Sequence, residues 1–329
     1  MMDLPIYLPI PIKHQELYHK LVASKLPRMN KPKLYNRTTR SFEYENTYKV
    51  NGLSFLYNSG IGKMFNSMFL NKRNVSKIYG RLMNGRGSVY QIPKFVKHYK
   101  INTSEIKRPI NSFRSFNDFF TRELKENARP IDAEPTHLIS PCDSRLLVFD
   151  LAKQHELPVK GYWYSLADLV KDAKIGREYG NGWCFIYRLA PSDYHRFCYM
   201  DSGRQEKVRR IRGVLHSVHP IALSNTTSLM VQNYRELTML HTKNFGKVVH
   251  LEVGALFVGK IVLINKNEHT FRRGEEKGWF EFGGSTIIQL FKKDQVQPDA
   301  DIVEQSLLKI ETMVRMGEKV GISASTGLA

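Results

Sequence analysis

Cysteine is scarce in this chain of 329 residues: Cys142, Cys184 and Cys198 are the three, with no paired spacing. That excludes a disulfide framework and a cysteine-rich structural zinc site, and a reducing compartment is the expected setting. No run of about 18 uninterrupted apolar residues occurs, so no transmembrane helix is expected. The most apolar long stretch, residues 248–264, is interrupted by His250, Glu252 and Lys260 and reads as buried strands. Residues 4–12 are apolar but carry Pro5, Pro9 and Pro11, with no basic residue ahead of them and no good cleavage pattern, so they make a poor signal peptide. Internal repeats and low-complexity tracts are absent too.

Negative charge is the other thing in short supply. The chain has 50 Lys and Arg against 31 Asp and Glu, a net charge of +19. Residues 1–130 hold 24 of the basic residues and 8 of the acidic ones, a net of +16, which leaves +3 for the rest. A basic N-terminal third points to a polyanion, either an acidic membrane surface or a nucleic acid. No nucleic-acid-binding signature accompanies it, so the membrane is preferred and nucleic acid is not expected. A solvated basic face without a partner is the plain alternative. The apolar fraction of 42% and charged fraction of 25% are those of a globular protein, long enough for one large or two small domains.

Pattern divides the chain in two. Residues 1–40 read as irregular, with one short helix near 14–23. Over residues 51–100, Phe55, Leu56, Ile61, Met64, Phe65, Met68 and Phe69 recur at helical steps, followed by Lys72, Arg73 and Lys77. This basic amphipathic stretch suits an anionic lipid surface, or a helix packed on the protein's own core. Residues 111–124 predict a second aromatic helix, capped by Ser115 with Asp118 three residues on. From residue 137 short apolar stretches alternate with Gly, Asn and Asp turns, broken by one helix at 164–173. That texture argues for packed antiparallel sheets. The expected fold is α+β: N-terminal amphipathic helices in a basic, membrane-associating region (1–130), then an antiparallel, sandwich-like β core (131–329).

One stretch promises chemistry. Phe282-Gly283-Gly284-Ser285-Thr286 places a hydroxyl after two glycines and before the apolar run Ile287, Ile288, Leu290 and Phe291. The glycines leave the Gly284–Ser285 peptide bond unshielded, and the β-branched run fixes the downstream side as a strand. A Ser so placed can attack the preceding carbonyl, turning the amide into an ester. Elimination and hydrolysis then leave a pyruvoyl group at a new N-terminus. An ordinary glycine bulge before a strand is the alternative reading.

Three further islands stand in order ahead of it: Ser140-Pro141-Cys142-Asp143-Ser144-Arg145, Ser192 to Cys198 with the core Asp193-Tyr194-His195-Arg196, and Val253-Gly254-Ala255-Leu256-Phe257-Val258-Gly259. Together with the FFTREL and ARPID segments between residues 119 and 132, they resemble the phosphatidylserine decarboxylase proenzymes over residues 35–320. The GGST site resembles the family's shorter bacterial branch. The resemblance implies self-cleavage between Gly284 and Ser285, giving a β chain of residues 1–284 and an α chain of residues 285–329. Ser285 would become the pyruvoyl cofactor, which forms a Schiff base with the amine of phosphatidylserine and yields phosphatidylethanolamine. It also implies a peripheral protein on the cytoplasmic face of the cell membrane; a homodimer is left open, and no metal is expected.

In the family an Asp–His–Ser relay drives the cleavage, and Asp143 and Ser285 match its outer members. The usual relay His falls at Cys198, whereas His195 matches the family's other His, near the substrate. Three outcomes follow: His195 serves as base, Cys198 serves, or self-cleavage is lost. A same-fold decarboxylase of a free amino acid and an unprocessed lipid-binding relative are the competing functions. Lys260, at a small residue of the family pattern, would face solvent or a lipid phosphate. His216, His219 and His250 read as structural.

Overall fold

The structure, a computed structural model, describes residues 32–45, 80–153, 157–159, 162–213, 233–254, 260–281 and 285–324. The chain divides into two units, Met1–Pro32 and Lys33–Ala329, and the elements described lie in the second. In chain order the strands are β1 (Lys33–Asn36), β2 (Ser41–Tyr44), β3 (His137–Ile139), β4 (Ser144–Asp150), β5 (Leu157–Val159), β6 (Tyr162–Tyr164), β7 (Trp183–Leu189), β8 (Arg196–Cys198), β9 (Gly203–Gln205) and β10 (Arg209–Ile211). They continue with β11 (Arg235–Thr242), β12 (Lys247–Gly254), β13 (Ile261–Leu263), β14 (His269–Phe271), β15 (Glu276–Phe280), β16 (Ser285–Phe291), β17 (Val296–Pro298), β18 (Glu311–Val314) and β19 (Lys319–Ser323). The α-helices described are α1 (Gln91–Tyr99), α2 (Phe116–Phe120), α3 (Leu166–Val170), α4 (Ala173–Tyr179) and α5 (Ala300–Leu307).

Eleven strands form the principal sheet, in the order β14-β9-β11-β12-β16-β7-β4-β18-β1-β2, with β10 also on β11. Its pairings are antiparallel except β1 beside β18. The α+β, mainly antiparallel class expected from the sequence is the one found. Alternation assigns the two faces. On β16, Ser285, Ile287 and Gln289 share a face with Leu189, Tyr187 and Phe185 of β7 and with Gly254, Glu252 and His250 of β12. The other face, with Ile288, Leu290, Ile186, Leu251 and Val253, is covered by Leu169 and Val170 of α3 and Tyr179 of α4. The Ser285 face is covered by two three-stranded sheets, β13-β15-β8 and β17-β19-β3. There Leu146, Tyr187 and Ile287 pack with Phe197, Phe280, Ile139 and Val320. Each such side chain taken fully out of water contributes about 1.5–3 kcal/mol.

This layering brings chemistry to one place. The chain passes from the principal sheet to the β13-β15-β8 sheet, or back, at residues 190–195, between the end of β12 and the start of β13, and between the end of β15 and the start of β16. The strand ends that flank these crossings are in register: Ser285 lies opposite both Gly254 and Leu189, Phe280 opposite Ile261, and Trp279 opposite Arg196. His195, Gly254 and Ser285, which belong to three islands far apart along the chain, therefore meet at the same edge of the two layers.

The helices depart from expectation. Residues 80–124 build a small aromatic core from Met83, Ile92, Phe95, Phe113, Phe116, Phe119 and Phe120. The single helix expected over 111–124 is a 3-10 turn, Ile110–Ser112, followed by the short α2. Ser115 is extended there and its Oγ accepts from the Asp118 amide at 3.1 Å, while Asp118 accepts from the Arg114 amide; these caps fix a start that a longer helix would have to erase. The helix expected at 164–173 is α3, stopped by left-handed Lys171 (φ 49), then α4, capped by Asp172. Within residues 1–40, read as irregular, Lys33–Asn36 is a strand, anchored by buried Leu34 and by Arg37, whose guanidinium donates to Asp299 and Asp301. The basic amphipathic stretch with Phe55 and Lys77, the helix near 14–23, His216 and His219 lie outside the described residues.

Candidate active site

Ser285 opens β16 and is fully buried between β12 and β7. Its Oγ lies 3.4 Å from Nδ1 of His195, the outer limit of a hydrogen bond. His195 closes the 190–195 crossing and is itself fully buried. Its carbonyl accepts from the Phe280 amide at 3.0 Å, which ties the crossing to β15. Its ring stacks on Phe120, with centroids 3.9 Å apart and planes 27° from parallel. Burial, and then the Arg122 cation, push the imidazole down to about 3, so at physiological pH it is neutral and able to accept a proton. Nε2 of His195 has no hydrogen-bond partner among the described residues.

Asp143 stands in the turn before β4. It accepts from Nε of Arg129 at 2.8 Å, from its Nη2 at 2.7 Å, and from the Met316 amide at 2.9 Å. Arg129 also donates to Glu105. No hydrogen bond among the described residues joins Asp143 to His195. The carboxylate in the same crossing as His195 is Asp193, which accepts from the Ala190 amide at 2.7 Å and pairs with Arg145. Arg145 in turn neighbours Glu45, and Arg188 bridges Glu45 and Glu311, so a buried chain of alternating charges underlies the crossing.

Cys198 lies on β8, almost fully buried, with its amide donating to the Pro141 carbonyl. Burial pushes its thiol up to about 12. At neutral pH it is protonated and a poor base. Of the three relay residues expected, the structure brings His195 and Ser285 together and holds Asp143 on Arg129. Lys260 is exposed, and Gly284 lies outside the described residues. A cavity of about 540 Å³ adjoins the site, with Arg122, Arg129, Asp143, Asp193 and Tyr194 in its wall. Another, of about 490 Å³, has Tyr194, Arg196 and Cys198 in its wall.

Residues 116–322 match the family model for phosphatidylserine decarboxylase. Among curated proteins the chain is 43% identical over 290 residues to the phosphatidylserine decarboxylase proenzyme of Clostridium perfringens, covering 88% of this chain and 99% of that one. It is 43% identical over 288 residues to phosphatidylserine decarboxylase proenzyme 2 of Clostridium acetobutylicum, covering 88% and 97%. With the proenzyme of Clostridium botulinum the identity is 41% over 291 residues, covering 88% and 99%. The chain belongs to the phosphatidylserine decarboxylase family.

The region matched to the phosphatidylserine decarboxylase model begins at the first residue of α2 and ends within β19, so it takes in Phe120, Arg122, Asp143, His195 and Ser285. In the sequence the FFTREL segment stands only as a likeness, and Phe120, Arg122 and Asp193 carry no role there. The local signal there is an Arg two residues after the Phe119-Phe120 pair, and nothing in the spacing says what it faces. No helix among the described residues is long and apolar enough to cross a membrane.

Proposed function

We propose that this chain is a proenzyme that cuts itself between Gly284 and Ser285 and then decarboxylates phosphatidylserine to phosphatidylethanolamine. The observation that carries the reading is the sealed contact of Ser285 Oγ with the neutral imidazole of His195. His195 takes the hydroxyl proton through Nδ1, the proton of the starting imidazole being on Nε2. Oγ attacks the Gly284 carbonyl carbon; the C–N bond breaks, and the nitrogen receives the proton as the ester forms. Loss of the Ser285 α-proton then breaks the Cβ–Oγ bond and releases the Gly284 carboxylate. Water replaces the amino nitrogen, which leaves as ammonia, and residue 285 becomes a pyruvoyl group.

That group is made in place, and the site fits it: residue 285 is enclosed and fixed by two strand neighbours. The pyruvoyl group supplies a carbonyl that accepts the substrate amine and takes up the electrons left as carbon dioxide departs. His195 is the residue positioned to hold and return the proton, and burial excludes water from it. Residues 285–329 stay docked through β16, which lies between β12 and β7 of the partner fragment. Cys198, protonated and held by its own core contacts, takes no part in this scheme. Asp143 acts at one remove, anchoring Arg129 and the 316 backbone. The basic third, residues 1–130, supports peripheral attachment to the anionic cytoplasmic face of a membrane, ahead of a catalytic core at 131–329.

The test is carbon dioxide release from carboxyl-labelled phosphatidylserine vesicles beside free serine and tryptophan. Release from the vesicles alone is expected. Release from a free amino acid alone would give the reading to a same-fold amino-acid decarboxylase, and lipid binding without any release would give it to an unprocessed relative.

A further inference from the structure

The relay His usually owes its orientation to a carboxylate, and here no hydrogen bond among the described residues joins one to His195. Asp143 is spent on Arg129, Asp193 on Arg145, and Glu276 of β15 on Arg196. Phe120 is stacked on the ring with centroids 3.9 Å apart and is fully buried. Two residues on, at the exit of α2, Arg122 is 4% exposed. Among the described residues its Nε and Nη1 have no hydrogen-bond partner, and Nη2 reaches only the carbonyls of Ser192 and Asp193, both at 3.4 Å. Its Cζ stands 5.1 Å above the Phe119 ring. Burial pulls Arg122 down to about 10, which leaves it charged at neutral pH.

We propose that Phe120 and Arg122 are positioning residues for His195: the stacked ring fixes the imidazole plane toward Ser285, and the Arg122 guanidinium, held only by two long carbonyl contacts, opposes a second proton on it. The proposal rests on the reading of His195 as the base. It explains how the site works without a carboxylate on the imidazole. A carboxylate partner would favour imidazolium and steady the ring; an aromatic face and a nearby cation steady the ring and favour the neutral base. The charged neighbours that act on the ring are Arg122 from the α2 exit and Arg145 from β4, both opposing its protonation, while the carbonyls of Ala190 and Pro191 favour it. Ser285 from β16 faces Nδ1. The helical core thus delivers a part of the catalytic apparatus rather than only a membrane surface.

The experiment is cell-free synthesis of the full chain at set pH, following appearance of the fragment 285–329. Five variants are compared: Phe120→Leu, Phe120→Tyr, Arg122→Gln, Arg122→Lys and His195→Ala. Phe120→Leu is expected to cut about tenfold more slowly or worse, since loss of orientation is costly, and Phe120→Tyr to restore most of the rate. Arg122→Gln is expected to move the acid limb of the pH–rate profile upward, and Arg122→Lys to keep it in place. A folded Phe120→Leu chain that cuts at the wild-type rate overturns the proposal, and so does an Arg122→Gln profile superimposable on the wild type. If Phe120→Leu fails to fold, the Arg122 pair decides alone. Undiminished cutting by His195→Ala would instead overturn the assignment of the base.

Discussion

Replacing Lys277 by Met should cost more stability at neutral pH than at acid pH. Lys277 sits at the register shift of β15 and is fully buried, as are Glu252, Thr238, His250 and Gln289 around it. Its Nζ donates to Glu252 and, at 3.2 Å, to Thr238 Oγ1. Nε2 of His250 lies 3.3 Å from the same Glu252 oxygen. Burial pushes the Glu252 carboxyl up, but the Lys277 charge, followed by the neighbouring His250, outweighs it and holds the group below its ordinary value. A carboxylate so depressed contributes stability that is present above its unfolded pKa and is lost as pH falls through the folded one. Without Lys277 the carboxylate is buried with only His250 to offset it, a loss of about 3–5 kcal/mol by comparison with other broken buried pairs. The carboxyl then rises above its unfolded value. Protonation of Glu252, or of His250, relieves the penalty as the medium is acidified. Urea unfolding in an uncut Ser285→Ala background keeps the reaction unimolecular and gives the loss at pH 7 and pH 5. The double variant Lys277→Met/Glu252→Gln should recover more than half of it, since neither partner is then charged. A loss under about 1 kcal/mol at pH 7, or one that grows on acidification, would refute the reasoning.

Other outcomes follow from the same geometry. Cys198→Ala should leave the rate of self-cleavage within about threefold of wild type, because a thiol held near 12 supplies no base; loss of cutting in a folded chain would reinstate Cys198. Asp143→Asn should lower stability by on the order of 2 kcal/mol through its bonds to Arg129, while the acid limb of the self-cleavage profile stays where it is; a shifted limb would place Asp143 on His195 after all. Pelleting with phosphatidylserine vesicles should weaken between low salt and about 0.5 M salt as the Debye length shrinks, and salt-independent pelleting would count against the electrostatic part of membrane attachment.

Much of the catalytic core was legible because strand alternation is local. The run from Ser285 to Phe291 announces a central strand, and the turn residues around Asp143 and His195 announce the ends of neighbouring strands. That the ends of these strands meet is a matter of sheet order, which no local pattern carries. The helices were misjudged for a related reason. Apolar spacing over 111–124 and 164–173 suggests continuous helices, but Ser115 and Asp172 cap new starts within them, and a side-chain cap bond outweighs a few tenths of a kcal/mol of propensity. β1 leaves almost no trace in the sequence because only three of its residues pair in parallel with β18, Leu34 lying opposite Glu311 far along the chain. At the site, Ser285 and His195 were visible from residue type and motif. Phe120 and Arg122 were not, since the importance of Phe120 lies in the ring it stacks on and that of Arg122 in a buried guanidinium with no ion-pair partner among the described residues.

The intact mass of freshly made protein, beside a Ser285→Ala control, bears most directly on the central claim. Two chains are expected, residues 1–284 and residues 285–329, the smaller resistant to N-terminal sequencing, with the control whole at 329 residues. A single mass that matches the uncut control, and stays uncut when anionic vesicles are added, would contradict the account.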